Sequence, residues 1–241
     1  DGALSPDGEN VMLVGDTGDV WLVPASDATK GTRITNQYSV GLFAISWHPT
    51  GDSALIAGDD GTLLRYSSLN NTIEKPPETV NLYGESMRAV SWFASGQQAF
   101  VGGENGSVYS YSGNVLTKLE TGMVEGWDSE ISAIACHGSE DFCVVLSRQD
   151  GIGIIDRDGQ FHWTGFVGKI WLDAVCPPGV GDRCVIIGAG RSIAVYQYDR
   201  ADPENSYLLD FPNGVDVNSV TAFSGEFHSA SLGANGQVLI H

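Results

Sequence analysis

Aromatic and acidic residues recur at matched places in this sequence, each time close to the start of a segment in which apolar and polar residues alternate. The set comprises Tyr38, Tyr83, Glu85, Arg88, Trp127, Asp128, Glu130, Trp171, Asp173 and Asp216. Aromatic residues and arginine are enriched at binding hot spots, and clustered carboxylates favour a cationic or basic partner. We therefore predict that these ten residues bind a protein or peptide. The structural alternative for Trp127 and Trp171 is that both rings pack in the core.

Catalysis by the same residues is the competing hypothesis. Carboxylic acids from different parts of a chain can form the pair that a carbohydrate hydrolase uses, and a lyase is the related alternative. The candidates are Glu85, Asp128, Glu130, Asp173 and Asp216. A close pair with a raised pKa would favour an enzyme, whereas scattered, solvated carboxylates would favour binding. The sequence has no Gly-x-Ser-x-Gly elbow, phosphate-binding loop or His-Glu-x-x-His motif, so it offers no nucleophile.

No cofactor or metal ion is predicted. The five histidines form no constellation along the chain. Asp59-Asp60-Gly61 could suggest calcium, but the spaced ligands and terminal glutamate of a calcium loop are lacking. Asp and Asn commonly bond the backbone of their own turn, so we interpret this trio as a hairpin turn.

The four cysteines occupy two equivalent places. Cys136 and Cys143, like Cys176 and Cys184, flank a predicted hairpin between two strands. Paired antiparallel residues lie about 4.5–5.5 Å apart, which is within disulfide range. We predict two disulfides and hence an extracytoplasmic location, secreted or periplasmic. The alternatives are four reduced cysteines in a cytoplasmic protein and a zinc site, for which the spacing fits poorly.

The charge of the chain is strongly negative. Thirty acidic residues face twelve basic ones among 241, giving a net charge of −18. Nucleic-acid binding is not expected, because no basic patch could neutralise phosphates. No apolar run reaches the length of a membrane span. The chain begins at Asp1 without a methionine, so we expect a processed product or one domain of a larger surface protein.

A repeat organises these residues. Ile45–Tyr66 and Val90–Tyr111 share the same order of tryptophan, turn, apolar strand, Gly hairpin and tyrosine. The hairpin glycines then continue at intervals of 39 to 46 residues. A period of this length with several strands per unit is typical of propeller blades. The predicted fold is all-β, one domain over residues 1–241, with blade cores near 4–23, 45–66, 90–111, 134–155, 174–196 and 220–240.

Ser5-Pro6-Asp7-Gly8 and His48-Pro49-Thr50-Gly51-Asp52 resemble the turns of WD-repeat blades. The resemblance extends over nearly the whole chain at the level of the repeat. It departs from the family because the Trp-Asp dipeptide is missing, so the family's His–Asp hydrogen bonds should be absent. The resemblance implies a propeller of six four-stranded blades with the ten predicted binding residues around one face. Ring closure would place a strand from each end of the chain in one blade.

The combined expectation is a non-catalytic binding or scaffold propeller that presents its loops to a protein or peptide partner. Strands carry the core of such a fold, while loops are free to vary.

Overall fold

The computed structural model describes residues 1–76, 82, 84–121, 128–138, 142–164, 166–176, 183–189 and 192–199 in full, and the backbone of the strands beyond them. Two compact units are present. The first contains residues 1–104 and 108–118, and the second contains residues 105–107 and 119–241. In the described residues, no helix has the length and apolar character needed to cross a membrane.

The first unit consists of three four-stranded antiparallel sheets, each built from consecutive strands. The first sheet contains β1 (Gly2–Leu4), β2 (Asn10–Val14), β3 (Val20–Pro24) and β4 (Thr32–Arg33), with a short 3-10 helix at Ala28–Lys30. The second contains β5 (Leu42–Trp47), β6 (Ser53–Gly58), β7 (Thr62–Ser67) and β8 (Thr72–Glu74). The third contains β9 (Met87–Trp92), β10 (Ala99–Gly103), β11 (Val108–Ser112) and β12 (Val115–Lys118).

The second unit contains two more four-stranded sheets and one of three strands. The fourth sheet contains β13 (Ile131–Cys136), β14 (Phe142–Ser147), β15 (Gly151–Asp156) and β16 (Phe161–Trp163). The fifth contains β17 (Trp171–Val175), β18 (Arg183–Gly188), β19 (Ser192–Gln197) and β20 (Tyr207–Pro212). The sixth contains β21 (Val217–Ala222), β22 (Ser229–Gly233) and β23 (Val238–Ile240).

The prediction of an all-β chain is confirmed, as is the repetition of four-stranded antiparallel sheets. The expected sharing of one sheet by both chain ends is not found among the described strands. β1 pairs within the first sheet and β23 pairs within the sixth. The physical reason is that Gly2–Leu4 already pairs with β2 as the first strand of its own sheet.

Tight turns join the second and third strands of the first four sheets. In the second sheet, Asp60 and Gly61 have φ values of 53° and 67°. A Cβ atom on Gly61 would overlap the carbonyl oxygen of Leu82, so this position requires glycine for space as well as for backbone conformation.

A β-bulge near the start of the first strand recurs in the second to sixth sheets. A bulge leaves one residue unpaired and bends the strand, which re-aims that side chain. The unpaired residues, at equivalent positions, are Phe43, Arg88, Ser132, Leu172 and Asn218. The bulges were not predicted from the sequence, because the extra residue does not interrupt the apolar pattern.

The core of the first unit lies between sheet faces. Trp47, Ile56 and Leu64 of the second sheet pack in one apolar cluster with Met12 and Val20 of the first sheet. The opposite face of the second sheet packs against the third sheet in a similar cluster. Apolar side chains on alternate residues supply both faces, as the period-two pattern predicts.

The outer face of the first sheet is apolar and exposed. Leu13 and Trp21 form a register pair, as do Ile56 and Leu64 at the equivalent place in the second sheet. Leu13 and Trp21 are each 42% exposed, whereas Ile56 and Leu64 are fully buried. Equivalent positions in the repeat therefore differ in burial.

Candidate functional site

The segments that lead into the first strands contact the hairpins between the second and third strands. These entry segments are residues 34–41, 84–86, 128–130 and 166–170. The residue after each second strand donates its backbone N–H to the last carbonyl of the entry segment of the same sheet. The four bonds are Asp59 to Gly41 at 2.8 Å, Glu104 to Ser86 at 2.9 Å, Arg148 to Glu130 at 2.8 Å and Ala189 to Ile170 at 2.8 Å. The entry segments are therefore held by one repeated main-chain contact.

In the first unit, the bulges bring a cation onto an aromatic ring. The guanidinium carbon of Arg88 lies 4.0 Å from the ring centroid of Phe43, which is close enough for a cation–π interaction. Arg88 Nη2 also lies 3.4 Å from Glu104 Oε2. Arg88 was predicted as a binding residue, whereas Phe43 and Glu104 were not. Phe43 could have been identified from the sequence repeat, because it precedes Arg88 by one repeat period.

Glu104 is ionised more readily than an ordinary glutamate. Hydrogen bonding from the backbone of Ser86 lowers the pKa of Glu104, and the hydroxyl group of Ser86 and Arg88 lower it further, against a smaller opposing effect of burial. Asp59, in the neighbouring hairpin, accepts a hydrogen bond of 3.1 Å from the same hydroxyl group. The two hairpin acids thus help to hold the entry segment at residues 84–86.

Glu85 lies inside the protein. The residue is 8% exposed, and its carboxylate accepts a hydrogen bond of 3.0 Å from the hydroxyl group of Tyr109. A buried acceptor of this kind stabilises the fold when its donor is retained. Glu85, a predicted binding or catalytic residue, therefore lies within the entry segment with its carboxylate hydrogen-bonded to Tyr109.

Tyr38 is half-buried against the core between the first and second sheets. Its hydroxyl group accepts a hydrogen bond of 3.2 Å from Gln37, and the ammonium group of Lys75 lies 5.8 Å from its ring centroid. The backbone N–H of Tyr38 donates to the side chain of Asn36 at 2.8 Å. Tyr38 therefore combines packing with a partly exposed polar tip.

In the second unit, Asp150 anchors the entry segment at residues 128–130. Asp150 Oδ2 accepts hydrogen bonds from the N–H groups of Ser129 at 2.9 Å and Asp128 at 3.2 Å. The same oxygen accepts the hydroxyl group of Ser147 at 2.8 Å. Asp150 therefore bonds backbone more than twenty residues away as well as Ser147 at the start of its own hairpin.

Two predicted binding residues, Asp128 and Glu130, lie in the entry segment that Asp150 anchors. The side chain of Asp128 is exposed to solvent. Glu130 is half-buried and forms an ion pair of 3.0 Å with Arg148, which is itself in the hairpin. Asp128 is therefore accessible to a partner. Arg148 already balances part of the charge of Glu130.

Trp171 is a core residue. It is 1% exposed, packs in the main apolar cluster of the second unit, and donates its indole N–H to the carbonyl of Phe166 at 3.1 Å. This is the placement that the structural alternative for Trp171 describes. Asp173 is half-buried and accepts the N–H of Ala174 at 2.8 Å. Tyr83, Trp127 and Asp216 lie outside the described residues.

The entry segment at residues 166–170 exposes apolar side chains that the prediction did not include. Val167 is 67% exposed and Ile170 is 45% exposed. Phe166 has a φ of 56°, which is uncommon for a bulky residue, and its ring contacts Tyr196 with centroids 6.1 Å apart. The segment is therefore anchored at Phe166 while its tip faces solvent.

Hydrogen bonding lowers the pKa of several carboxyl groups in the described residues. Asp7, Asp19 and Asp27 each accept a hydrogen bond from a hydroxyl group, which lowers the pKa of the carboxyl. Glu104 is shifted the same way. A lowered pKa keeps the group ionised, which suits ion pairing and charge display better than proton donation.

Two histidines in the described residues contact a carboxylate. His162 Nε2 lies 2.6 Å from Asp156 Oδ2, and His48 Nδ1 lies 3.6 Å from Asp52 Oδ1. His48 also packs edge-on against Trp92, with ring centroids 4.7 Å apart. In the described part of the chain, no three residues of types His, Cys, Asp and Glu are grouped as metal ligands.

Both predicted disulfides are present. Cys136 and Cys143 form a register pair of β13 and β14, with Cα atoms 3.9 Å apart. Cys176 and Cys184 bridge β18 and the residue that follows β17, with Cα atoms 4.1 Å apart. The bonded pairs replace the two alternatives, reduced thiols and zinc ligation, and they suggest an oxidising environment.

No protein-family model matches this sequence, and comparison with curated proteins finds no similar one. The fold and the placement of side chains are therefore the basis for a functional conclusion.

Proposed function

We propose that the chain is a WD-like propeller of six blades that acts as a non-catalytic binding module. The repeat in the sequence and the repeated order of antiparallel strands support the propeller. The blades present their entry segments to a protein or peptide partner. The two disulfides support an extracytoplasmic setting.

The observation that carries the proposal is the contrast, in the entry segments at residues 128–130 and 166–170, between a fixed backbone and exposed side chains. Glu130 and Ile170 accept main-chain hydrogen bonds from their hairpins, both at 2.8 Å. Asp128, Val167 and Ile170 nevertheless expose their side chains. A backbone that is already ordered loses little conformational entropy on binding, which favours a recognition surface.

The chemistry of the partner follows from this surface and from the charge of the protein. Val167 and Ile170 supply apolar contact area, and Asp128 supplies an exposed negative charge. The net charge of −18 attracts cations over a distance set by ionic strength. The partner is therefore a peptide segment with both basic and apolar side chains.

A peptide-binding measurement on the intact chain tests the proposal. The probes are two sets of short peptides with aromatic residues at the same positions. The basic set carries lysine and arginine, and the other set carries glutamate in their place. We expect the basic set to bind, with an affinity that falls as salt rises. Asp128→Asn and Ile170→Ser should each weaken binding by about tenfold, as for a moderate hot-spot residue.

Matched controls lie at exposed positions outside the entry segments. Leu69 is 89% exposed in the turn between β7 and β8, and Asp158 is exposed in the turn between β15 and β16. Leu69→Ser and Asp158→Asn should leave the affinity unchanged. Absence of binding by the basic set, or an equal loss in the control variants, would refute the proposal.

A further inference from the structure

The turn between β7 and β8 contains the tripeptide Asn70-Asn71-Thr72. Asparagine, then any residue except proline, then serine or threonine is the acceptor sequence for an asparagine-linked glycan. Asn105-Gly106-Ser107 is the second such tripeptide in the chain. Because this short pattern also arises by chance, the place of each tripeptide in the fold decides which is suited to carry a glycan.

Asn70 presents its side-chain amide to solvent. Asn70 and Thr72 are both exposed, and neither side chain forms a hydrogen bond with another residue in the described part of the chain. Asn71, between them, has a φ of 54°, and its side chain accepts a hydrogen bond of 3.1 Å from the hydroxyl group of Tyr66. The turn is therefore held through Asn71, which leaves the acceptor amide and the threonine hydroxyl group accessible to an enzyme.

The second tripeptide is placed less favourably. It lies in the tight hairpin between β10 and β11, where Gly106 has a φ of 74°. Ser107 is only 7% exposed, whereas Thr72 is exposed at the start of β8. The folded hairpin therefore covers the serine that the acceptor sequence requires, so the structure favours the tripeptide at residues 70–72.

A glycan on Asn70 would lie at the opposite end of β7 from the neighbouring entry segment. Gly61, just before β7, donates its backbone N–H to the carbonyl of Glu85 in that segment at 2.9 Å. β7 then runs over Thr62–Ser67, which spans roughly 17 Å at the usual rise of an extended strand. A glycan here would shield Leu69, which is 89% exposed, without covering the segment at residues 84–86.

We propose that Asn70 is the acceptor of an asparagine-linked oligosaccharide. This assignment rests on the extracytoplasmic location in the proposed function, which the two disulfides support. In the transfer, Asn70 Nδ2 bonds to the anomeric carbon of the sugar, and the bond from that carbon to the diphosphate of a lipid-linked donor breaks. The lipid diphosphate leaves with the electron pair, and Nδ2 releases one proton, so no group is oxidised or reduced.

Peptide mapping of the full chain, secreted by a eukaryotic host, tests the inference. Peptide N-glycosidase releases the glycan and converts its asparagine to aspartate, which mass spectrometry locates. We expect a loss of mass on release, with the conversion at position 70 and none at position 105. Asn70→Gln and Thr72→Ala should each abolish the loss of mass. The matched control, Asn71→Gly, keeps the acceptor sequence and tolerates the positive φ, so it should retain the glycan.

Three results would overturn the inference. They are an intact chain whose mass the glycosidase does not change, a glycan at Asn105 instead of Asn70, and retention of the glycan in Thr72→Ala. Thiol titration of the same sample separates this failure from a failure of the proposed location. A chain with no free thiol and no glycan would contradict the role of Asn70 alone, whereas four free thiols would also contradict the extracytoplasmic location.

Discussion

Replacing Asp150 provides a direct test of the anchoring role assigned to the hairpin acids. One carboxylate oxygen accepts three hydrogen bonds, from Ser129 N at 2.9 Å, Asp128 N at 3.2 Å and Ser147 Oγ at 2.8 Å. Asp150→Ala removes all three, and two of them hold the backbone of the entry segment. Asp150→Asn keeps an acceptor oxygen but removes its charge, so it separates the effect of charge from that of hydrogen bonding.

The magnitude follows from the number of bonds and their exposure. A hydrogen bond to a charged group contributes about 1.5–3 kcal/mol, and less where water can replace the lost partner. Because Asp150 is only half-buried, we expect Asp150→Ala to lower the free energy of unfolding by about 2–3 kcal/mol. Asp150→Asn should cost about 1 kcal/mol, since one neutral acceptor remains.

Amide exchange at Asp128 and Ser129 is the decisive readout. A loss of about 2 kcal/mol in local stability corresponds to about thirtyfold faster exchange at these amides in Asp150→Ala. Asp158→Ala, at an exposed carboxylate in the turn between β15 and β16, is the matched control and should leave both amides unchanged. Unaltered exchange at residues 128 and 129 in Asp150→Ala would refute the anchoring role, whatever the change in global stability.

Three further predictions concern the disulfides, the sheet faces and pH. Thiol titration of the denatured protein without reductant should find no free thiol, and reduction should lower the free energy of unfolding by about 2 kcal/mol per bond; four free thiols would contradict the structure. In urea unfolding, Ile56→Ala should cost about 2–4 kcal/mol and Leu13→Ala less than about 1 kcal/mol, because only Ile56 is fully buried; equal costs would show that the outer face of the first sheet is covered. The pKa of Glu104 is lowered in the folded state, so its contribution to stability is present above its ordinary value of 4.5 and is lost as pH falls through the lower folded value. Glu104→Gln should therefore flatten the decline of stability in acid, and a decline as steep as that of the unaltered protein would contradict this origin.

The candidate site was predictable only in part. Asp128 was identified and is exposed, and Arg88 was identified without its partners Phe43 and Glu104. Glu85 has the residue type of a surface acid, but its burial beside Tyr109 depends on a strand more than twenty residues away. Trp171 matched both a binding and a packing interpretation, and only contact with its neighbours distinguishes them.

The sequence by itself determined the local features of this protein. Alternation of apolar and polar residues specifies strands, and glycine at a position of positive φ, such as Gly61, specifies a tight hairpin. Each pair of cysteines flanks one hairpin, so the disulfide pairing also follows from the local order of the strands. These features depend on neighbouring residues in one or two strands.

Tertiary structure decided which residues are buried, anchored or open. Leu13 and Ile56 occupy equivalent places in the repeat, yet Leu13 is 42% exposed and Ile56 is fully buried against the first sheet. The bulges place Arg88 on Phe43, and Asp150 reaches the backbone of the entry segment before its sheet. Burial and these contacts depend on packing between segments that are distant in sequence, which the period of a single strand does not encode.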